Sequence, residues 1–326
     1  QHLSIATFIG ESIIFPATLK NDAIATCQLG EIAVENKGNG HTQGKILFRP
    51  EQFSLAKKIQ NPTASFKGVI KQIESKGRAI NIGIDVGGSG IKGARVDLDT
   101  GEFIGERIKI FTPQPATPDA VAATCAEIVK IAEWSDAVGI TLPSVIKNKV
   151  VLSAANIDPS WVGIDSHELF AKHLPGTDVH VLNDADAAGV AEAHFGDPLA
   201  KSGAVMMLTF GTGIGSALLI DGVVFPNTEL GHMIVDGQDA ENIASSRIKD
   251  VEELSYKKWA ARVDKVMHEY ERLFNPTVFV VGGGISRKAD KWVPLLTIET
   301  PVVPAQLRNR AGIVGAAMAV EAGLHP

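Results

Sequence analysis

The chain has 326 residues, 45% of them hydrophobic, and a net charge of −6. That length supports two or three domains with ample material for cores, and the acidic balance disfavours a general nucleic-acid binder. Its two cysteines, Cys27 and Cys125, lie in no C-x-x-C pair, which excludes a zinc knuckle or a disulfide framework and suits a reducing cytoplasm.

The N-terminus, QHLSIATFIG, lacks the basic region of a signal peptide. No apolar run approaches the ~18 residues that span a bilayer, so no membrane partner is expected. Charge changes along the chain: residues 1–79 hold 10 Lys and Arg against 6 Asp and Glu, whereas residues 80–326 hold 21 against 31. A domain seam is expected near residue 79. Before it, IATFIG, IIFPATL, AIATCQLG, EIAVEN and GKILFRP read as short strands punctuated by Gly, Asn and Asp. Such spacing predicts a small all-β barrel or sandwich. The order FIGES, FPATL, CQLG, LFRPEQFSL over about the first 55 residues resembles the small C-terminal β domain of iron-type ABC transporter ATPases, with Arg49-Pro50-Glu51-Gln52 as its most specific part. The ATPase's own G-x-x-x-x-G-K-[ST] loop is absent from the sequence, and no chemistry is assigned to this segment.

After the seam, residues 80–110 predict an apolar strand carrying Asp85, a turn at Gly87-Gly88-Ser89, a second strand, and a turn at Asp99-Thr100-Gly101. Residues 205–224, VMMLTFGTGIGSALLIDGVV, repeat the plan with Gly211-Thr212-Gly213 and a hairpin turn at Asp221-Gly222. This internal echo predicts two related lobes, taken as 80–200 and 201–326. Helical patterns fall near 117–134, 165–174, 184–196 and 257–274, and strands near 137–141, 179–183 and 277–281. Alternating strands and helices imply α/β layers, with mixed sheets because each lobe opens on hairpins.

Three glycine turns end strands: 87–88, 211–213 and Gly282-Gly283-Gly284. Glycine lets backbone N–H groups approach phosphate oxygens, or it simply makes a tight turn. Asp85, beside the first of them, can hold hydrated Mg²⁺ against phosphates or cap its turn. Residues 179–196 run an apolar strand into Asn183-Asp184 and then an alanine-rich helix. Asp184 at that strand end can take a proton from an attacking hydroxyl, and Asn183 can orient a polyol. Both types also cap helices; capping is assigned to Asp186, which faces the helix dipole, and catalysis to Asp184. The stretch TELGHMIVDGQDAEN, 228–242, groups acids and one histidine among glycines. It fits a metal site, a sugar clamp or a polar loop.

With these pieces assembled, residues 80–323 resemble a sugar kinase of the ROK family (repressor, open reading frame, kinase), and within it the polyphosphate-using glucokinases. The resemblance rests on IDVGGSGIKGARVDLDTG, TPQPATPDAV, AANIDPSWVG, NDADAAGVAEAHFG, LTFGTGIGSAL, PNTELGH, VVGGGISRKAD and NRAGIVGAAM, in the family's order. It implies a duplicated actin-like, ribonuclease-H-like fold with glucose between the lobes. It implies that Asp184 is the general base on the glucose 6-hydroxyl, and that Asn156, Asn183, Glu229, His232 and Glu241 bind the sugar. Asp85, Gly87, Gly88, Ser89 and Lys92 match the first phosphate motif, Gly211, Thr212 and Gly213 the second, and Gly282, Gly283 and Gly284 the loop beside the nucleotide in ATP-using relatives. Mg²⁺, held by Asp85 through water, is the implied metal. Many relatives follow E-x-G-H with a cysteine-rich zinc loop; here no cysteine follows Cys125, so no zinc is expected and Asp236 and Asp239 read as loop polar groups. This cysteine-free form is the one that polyphosphate glucokinases show.

Expected substrates are therefore glucose with inorganic polyphosphate or ATP, and the expected state is a cytoplasmic homodimer. Local cations that can meet a polyanion are Lys92, Lys147, Lys149, Arg287, Lys288, Lys291, Arg308 and Arg310, each otherwise a solvated surface charge. Two alternatives stand beside this expectation: an ATP-dependent kinase for another hexose, and a sugar-sensing ROK regulator, disfavoured because residues 1–79 show no recognition helix.

Overall fold

A computed structural model describes residues 13–21, 24–27, 30–33, 43–48, 79–154 and 157–323. The chain divides into two compact units, Gln1–Ser75 and Lys76–Pro326. In the first, β1 (Ile13–Asn21), β2 (Ile24–Cys27), β3 (Gly30–Ala33) and β4 (Gln43–Phe48) form an antiparallel sheet in the order β3-β2-β1-β4. The expected strand IATFIG and the Arg49–Gln52 motif lie outside the described residues.

In the second unit, β5 (Ile80–Gly87), β6 (Gly90–Asp97) and β7 (Glu102–Ile110) make an antiparallel meander. Helix α1 (Pro118–Ile131) follows, with proline in its first turn and Val121, Cys125 and Ile128 buried. It stops short of the expected 134, where Glu133 takes φ +50°. Strand β8 (Val138–Leu142) then returns parallel to β5. A short hairpin, β9 (Ile146–Lys147) and β10 (Val150–Val151), leads to α2 (Ser166–His173). Strand β11 (Val179–Asn183) lies parallel to β8, and α3 (Asp184–Phe195) leaves from its end.

The pattern then repeats. Strands β12 (Ala204–Phe210), β13 (Ile214–Ile220) and β14 (Val223–Phe225) form the second meander. Asp221 and Gly222 turn it with φ of +50° and +79°, the doubly positive turn that matches strand twist. After the hairpin β15 (Ile234–Val235) and β16 (Gln238–Asp239) come α4 (Ala240–Ala244), α5 (Ser246–Val251) and α6 (Tyr256–Phe274). Helix α6 buries Trp259, Val263, Val266, Met267 and Tyr270 at helical spacing. Strand β17 (Val278–Gly282) lies parallel to β12, β18 (Val302–Pro304) parallel to β17, and α7 (Ala311–Glu321) ends the unit.

The two five-stranded sheets therefore have one topology: β11-β8-β5-β6-β7 and β18-β17-β12-β13-β14. The parallel strands β8, β11 and β17 are buried at all five positions, as strands covered on both faces must be. Helix α7, last in the chain, packs back on the first sheet. A Cβ added at Gly83 or Gly139 would lie 1.8 Å from the carbonyl oxygens of Ile313 and Ala316, so these glycines let helix and sheet backbones touch. Helix α3 lies against both α7 and β13: the same test gives 1.8 Å from Gly315 to Ala187 O and 2.8 Å from Gly189 to Ala217 Cβ. These two small-residue helices knit the halves together. Under the second sheet, Phe210, Trp259 and Trp292 meet edge to face at 5.0–5.8 Å.

Candidate active site

The three neighbouring parallel strands β5, β8 and β11 end together, and each brings a polar residue. Asp85 is in register with Thr141, and Leu142 with Asn183. The Thr141 hydroxyl donates to Asp85 Oδ1 at 3.2 Å, and Lys92, opposite Asp85 on β6, donates to Oδ2 at 3.3 Å. One carboxylate is thus fixed at the open end of the first sheet, where α/β folds receive ligands.

Asn183 ends β11 and caps α3. Its Oδ1 accepts from the N–H groups of Ala185 at 2.8 Å and Asp186 at 3.2 Å, while Nδ2 donates to Ser144 O at 3.2 Å. One of its two amide hydrogens remains for a ligand. Capping therefore belongs to Asn183 and not to Asp186. Asp186 is buried and accepts the Asn227 N–H at 2.7 Å through Oδ2, while its Oδ1 has no partner. Asn227 also bonds both polar backbone atoms of Ile146, at 2.9 and 2.6 Å. One residue of the β14–β15 loop thereby ties that loop to β9 and to α3.

Asp184 begins α3. Burial, then the Asp85 carboxylate, and further the Glu229 carboxylate, push it up to about 7 against the pull of backbone N–H groups. A carboxyl group near neutrality, between two other acids, is suited to proton transfer.

The Glu229–Glu241 stretch closes the other side. His232 Nδ1 lies 2.9 Å from Asp239 Oδ2, and its Nε2 lies 4.0 Å from Glu229. An ionised carboxylate only accepts, so Nδ1 carries the proton. The Asp239 bond is the main cause that raises His232 above its ordinary value, and burial raises Glu229. Glu241 Oε2 accepts the Ile214 N–H at 3.2 Å. It fills the space a side chain at Gly213 would need, 2.3 Å from such a Cβ, and Gly231 is closed by Ile214 O at 2.2 Å. Ser216 Oγ accepts the Leu230 N–H and donates to Thr228 O, and the Tyr270 hydroxyl donates to Leu230 O at 2.7 Å. This loop is held from several directions.

The glycine turns divide. Gly211 and Gly284 face open space. Gly213 is blocked by Glu241, Gly282 is buried beside Met207, and Gly283, at φ +82°, has Phe210 O within 2.2 Å of a Cβ. At Gly213, Gly282 and Gly283 close packing by itself requires glycine, against Glu241 at the first and against β12 at the other two. Gly88, Ser89 and Thr212 are exposed. Asn156 lies outside the described residues. Sequence reasoning missed Asp239, Asn227, Thr141 and Ser216. The His-x₆-Asp spacing of 232 and 239 was the only available signal for any of them.

The ROK family model matches residues 81–246. A polyphosphate glucokinase of Mycobacterium tuberculosis is 55% identical over 237 residues, 73% of this chain and 89% of that protein. The chain belongs to the ROK family. A polyphosphate glucokinase of Mycobacterium leprae is 49% identical over 286 residues, covering 86% of this chain and 87% of its own. Among solved ROK-like folds, the inorganic polyphosphate/ATP-glucomannokinase from Arthrobacter sp. strain KM is 46% identical with a TM-score of 0.71, covering 75% of this chain and 99% of that one. A ROK family glucokinase from Streptomyces griseus, solved with glucose and AMPPNP, has a TM-score of 0.61 at 25% identity, covering 73% and 98%. The two-lobed ROK kinase fold expected from the motifs is the one observed. A 91-residue stretch is also 53% identical to the iron(III) import ATP-binding protein FbpC of Haemophilus influenzae, covering 26% of that protein. Among the described residues, no helix is long and apolar enough to cross a membrane.

Proposed function

We propose that this chain transfers a phosphoryl group from inorganic polyphosphate, with ATP as a second donor, to the 6-hydroxyl of D-glucose. The observation that carries this reading is Asp184 at the start of α3, raised to about 7 between Asp85 and Glu229. Its relatives support the substrates: they are named polyphosphate glucokinases and a polyphosphate/ATP-glucomannokinase.

Glucose lies against Asn183, Glu229, His232 and Glu241; Asn156, outside the described residues, is assigned to the sugar by its match to the family motif alone. Glu229 and Glu241 accept sugar hydroxyls, and His232, its Nδ1 engaged by Asp239, presents Nε2 to a sugar oxygen. Asp184 takes the 6-hydroxyl proton as that oxygen attacks the terminal phosphorus. The donor phosphates lie over Gly87, Gly88 and Ser89, with Lys92, Gly211, Thr212 and Gly284 alongside; Gly213, Gly282 and Gly283 shape that wall from behind. Lobes near 80–200 and 201–326, with α7 returned to the first, close over the substrates and exclude water, which limits hydrolysis of the donor.

Asp85 is the one carboxylate fixed at the donor end, and among the described residues no group of three His, Cys, Asp or Glu could hold a metal. That donor set fits Mg²⁺, which keeps its waters and binds through one or two carboxylates plus phosphates. When bound through water to Asp85, Mg²⁺ supplies neutralisation of phosphate charge. The same reading takes the enzyme as a cytoplasmic homodimer.

A coupled glucose 6-phosphate assay on purified protein, with polyphosphate and ATP against a panel of hexoses, tests the reading. Glucose 6-phosphate from polyphosphate is the expected result; no product from either donor overturns it.

A further inference from the structure

Of the eight cations that the sequence offers to a polyanion, three from two distant segments share one wall. Arg287, Arg308 and Arg310 line a cavity of about 370 Å³, completed by Gln306, Leu307 and Asn309. Lys92 is not among them; it is engaged with Asp85.

A buried glutamate builds that wall. Glu192, two turns along α3 from Asp184, accepts the N–H groups of Gln306 at 2.9 Å and Leu307 at 2.7 Å. This clamp bends the chain so that Arg308 takes φ +54° with its side chain exposed. The loop then runs into α7, where a Cβ at Gly312 would come 3.1 Å from Asp85 Oδ1. Arg287 arrives from the segment after β17, three residues past the open Gly284. The cavity is therefore lined by the segment that leads into α7, whose Gly312 abuts Asp85, and by the segment that follows the Gly284 turn.

Its charges are largely unspent. Arg310 pairs with Glu102, whereas Arg287 and Arg308 carry no ion pair among the described residues. Guanidinium forks match phosphate oxygens bidentately. A nucleoside's uncharged base and ribose gain little from two such groups; a chain of phosphates gains at every unit that reaches them.

We propose that this arginine cavity binds phosphates of the donor chain beyond the one being transferred, so that the enzyme favours long polyphosphate over short. The proposal rests on the polyphosphate reading above. Arg287 and Arg308 are the contacts, and Glu192 is a positioning residue that acts through the 306–308 backbone.

The test is initial-rate kinetics on the full chain with tripolyphosphate and with long-chain polyphosphate. Arg287→Ala and, separately, Arg308→Gly are compared with Lys265→Ala, which removes a positive charge from an exposed pair with Asp236. Glycine accepts the backbone of Arg308, and Arg287→Ala keeps the test independent of that turn. The expected result is a KM for long chains raised about tenfold in each arginine variant, the size of one lost charged hydrogen bond. The KM for tripolyphosphate and for glucose should hardly move, and the salt dependence with long chains should become shallower. An unchanged long-chain KM in both variants, or equal increases for short and long chains, overturns the proposal. If the unmodified protein turns over no polyphosphate, the functional reading fails instead. Calorimetric binding of long-chain polyphosphate to the unmodified protein and to Arg287→Ala then still decides the cavity, with equal affinities counting against it.

Discussion

His232 Nδ1 faces Asp239 Oδ2 across 2.9 Å, and this pair orients the one histidine in the acidic loop. Because His232 ends the 3-10 segment Leu230–His232 and Asp239 ends β16, the β15–β16 hairpin between them brings the two together, and the loop fixes its own tautomer. Asp239→Ala should lower the His232 pKa, since the hydrogen bond to Asp239 is the main cause of its raised value. It should also raise the KM for glucose several-fold, with kcat reduced less. An NMR titration of His232 beside sugar kinetics checks this. An unchanged histidine titration would show that Asp239 does not orient the ring.

Asp186 gives a stability prediction with a definite sign. Burial holds it at about 7 in the folded state, above its ordinary 3.8. A raised carboxyl pKa contributes stability below about pH 4 that is lost as pH rises through 7. Asp186→Asn keeps an acceptor for the Asn227 N–H and removes the charge. Its Tm should exceed that of the unmodified protein at pH 8, and the gain should vanish near pH 4. Calorimetry at the two pH values measures it. A variant less stable at pH 8 would contradict the account.

The glycines under α7 set the fold's tolerance. At Gly139 a methyl group would meet Ala316 O at 1.8 Å, and at Gly83 it would meet Ile313 O at the same distance. Backbone, unlike a flexible side chain, has little room to give. Gly139→Ala should therefore cost about 3 kcal/mol, the upper end of overpacking penalties, in denaturant unfolding. Gly163→Ala, with no neighbour within 4 Å but a φ of +87°, should cost only its backbone strain of about 1 kcal/mol. Equal costs at the two positions would contradict this packing picture.

The base role proposed for Asp184 predicts a pH dependence of turnover. A general base works ionised, so with its pKa at about 7 kcat/KM should fall tenfold per unit as pH drops below that value and level off above it. A rate–pH profile checks the limb. A flat profile from pH 5 to 8 would remove Asp184 from the base role.

Much of the architecture was legible because the two halves write one pattern twice. The GGSG and GTGIG turns between apolar strands lead to sheets of identical order, and VHVLNDADAAG runs a buried strand into a helix as expected. What escaped was decided by contacts between distant segments. Nothing local in the Asn183–Asp186 run tells which side chain caps the helix, because Asp186 is drawn away by Asn227, 41 residues on. Gly213 is glycine also because Glu241 occupies the space a side chain there would need, a contact 28 residues away. Asp239 resembled any loop acid until the turn brought it to His232. Nothing local in the apolar, glycine-bearing sequence of α7 tells that it packs on the first sheet, against Gly83 and Gly139.

The most direct test of the central claim is Asp184→Asn, with turnover and glucose affinity measured on the same preparation. Asparagine preserves size and removes only the proton-accepting charge. The account predicts turnover reduced by about 10²–10⁴, the usual contribution of a general base, with the calorimetric Kd for glucose changed by less than about tenfold. Turnover within a few-fold of the unmodified enzyme would contradict it.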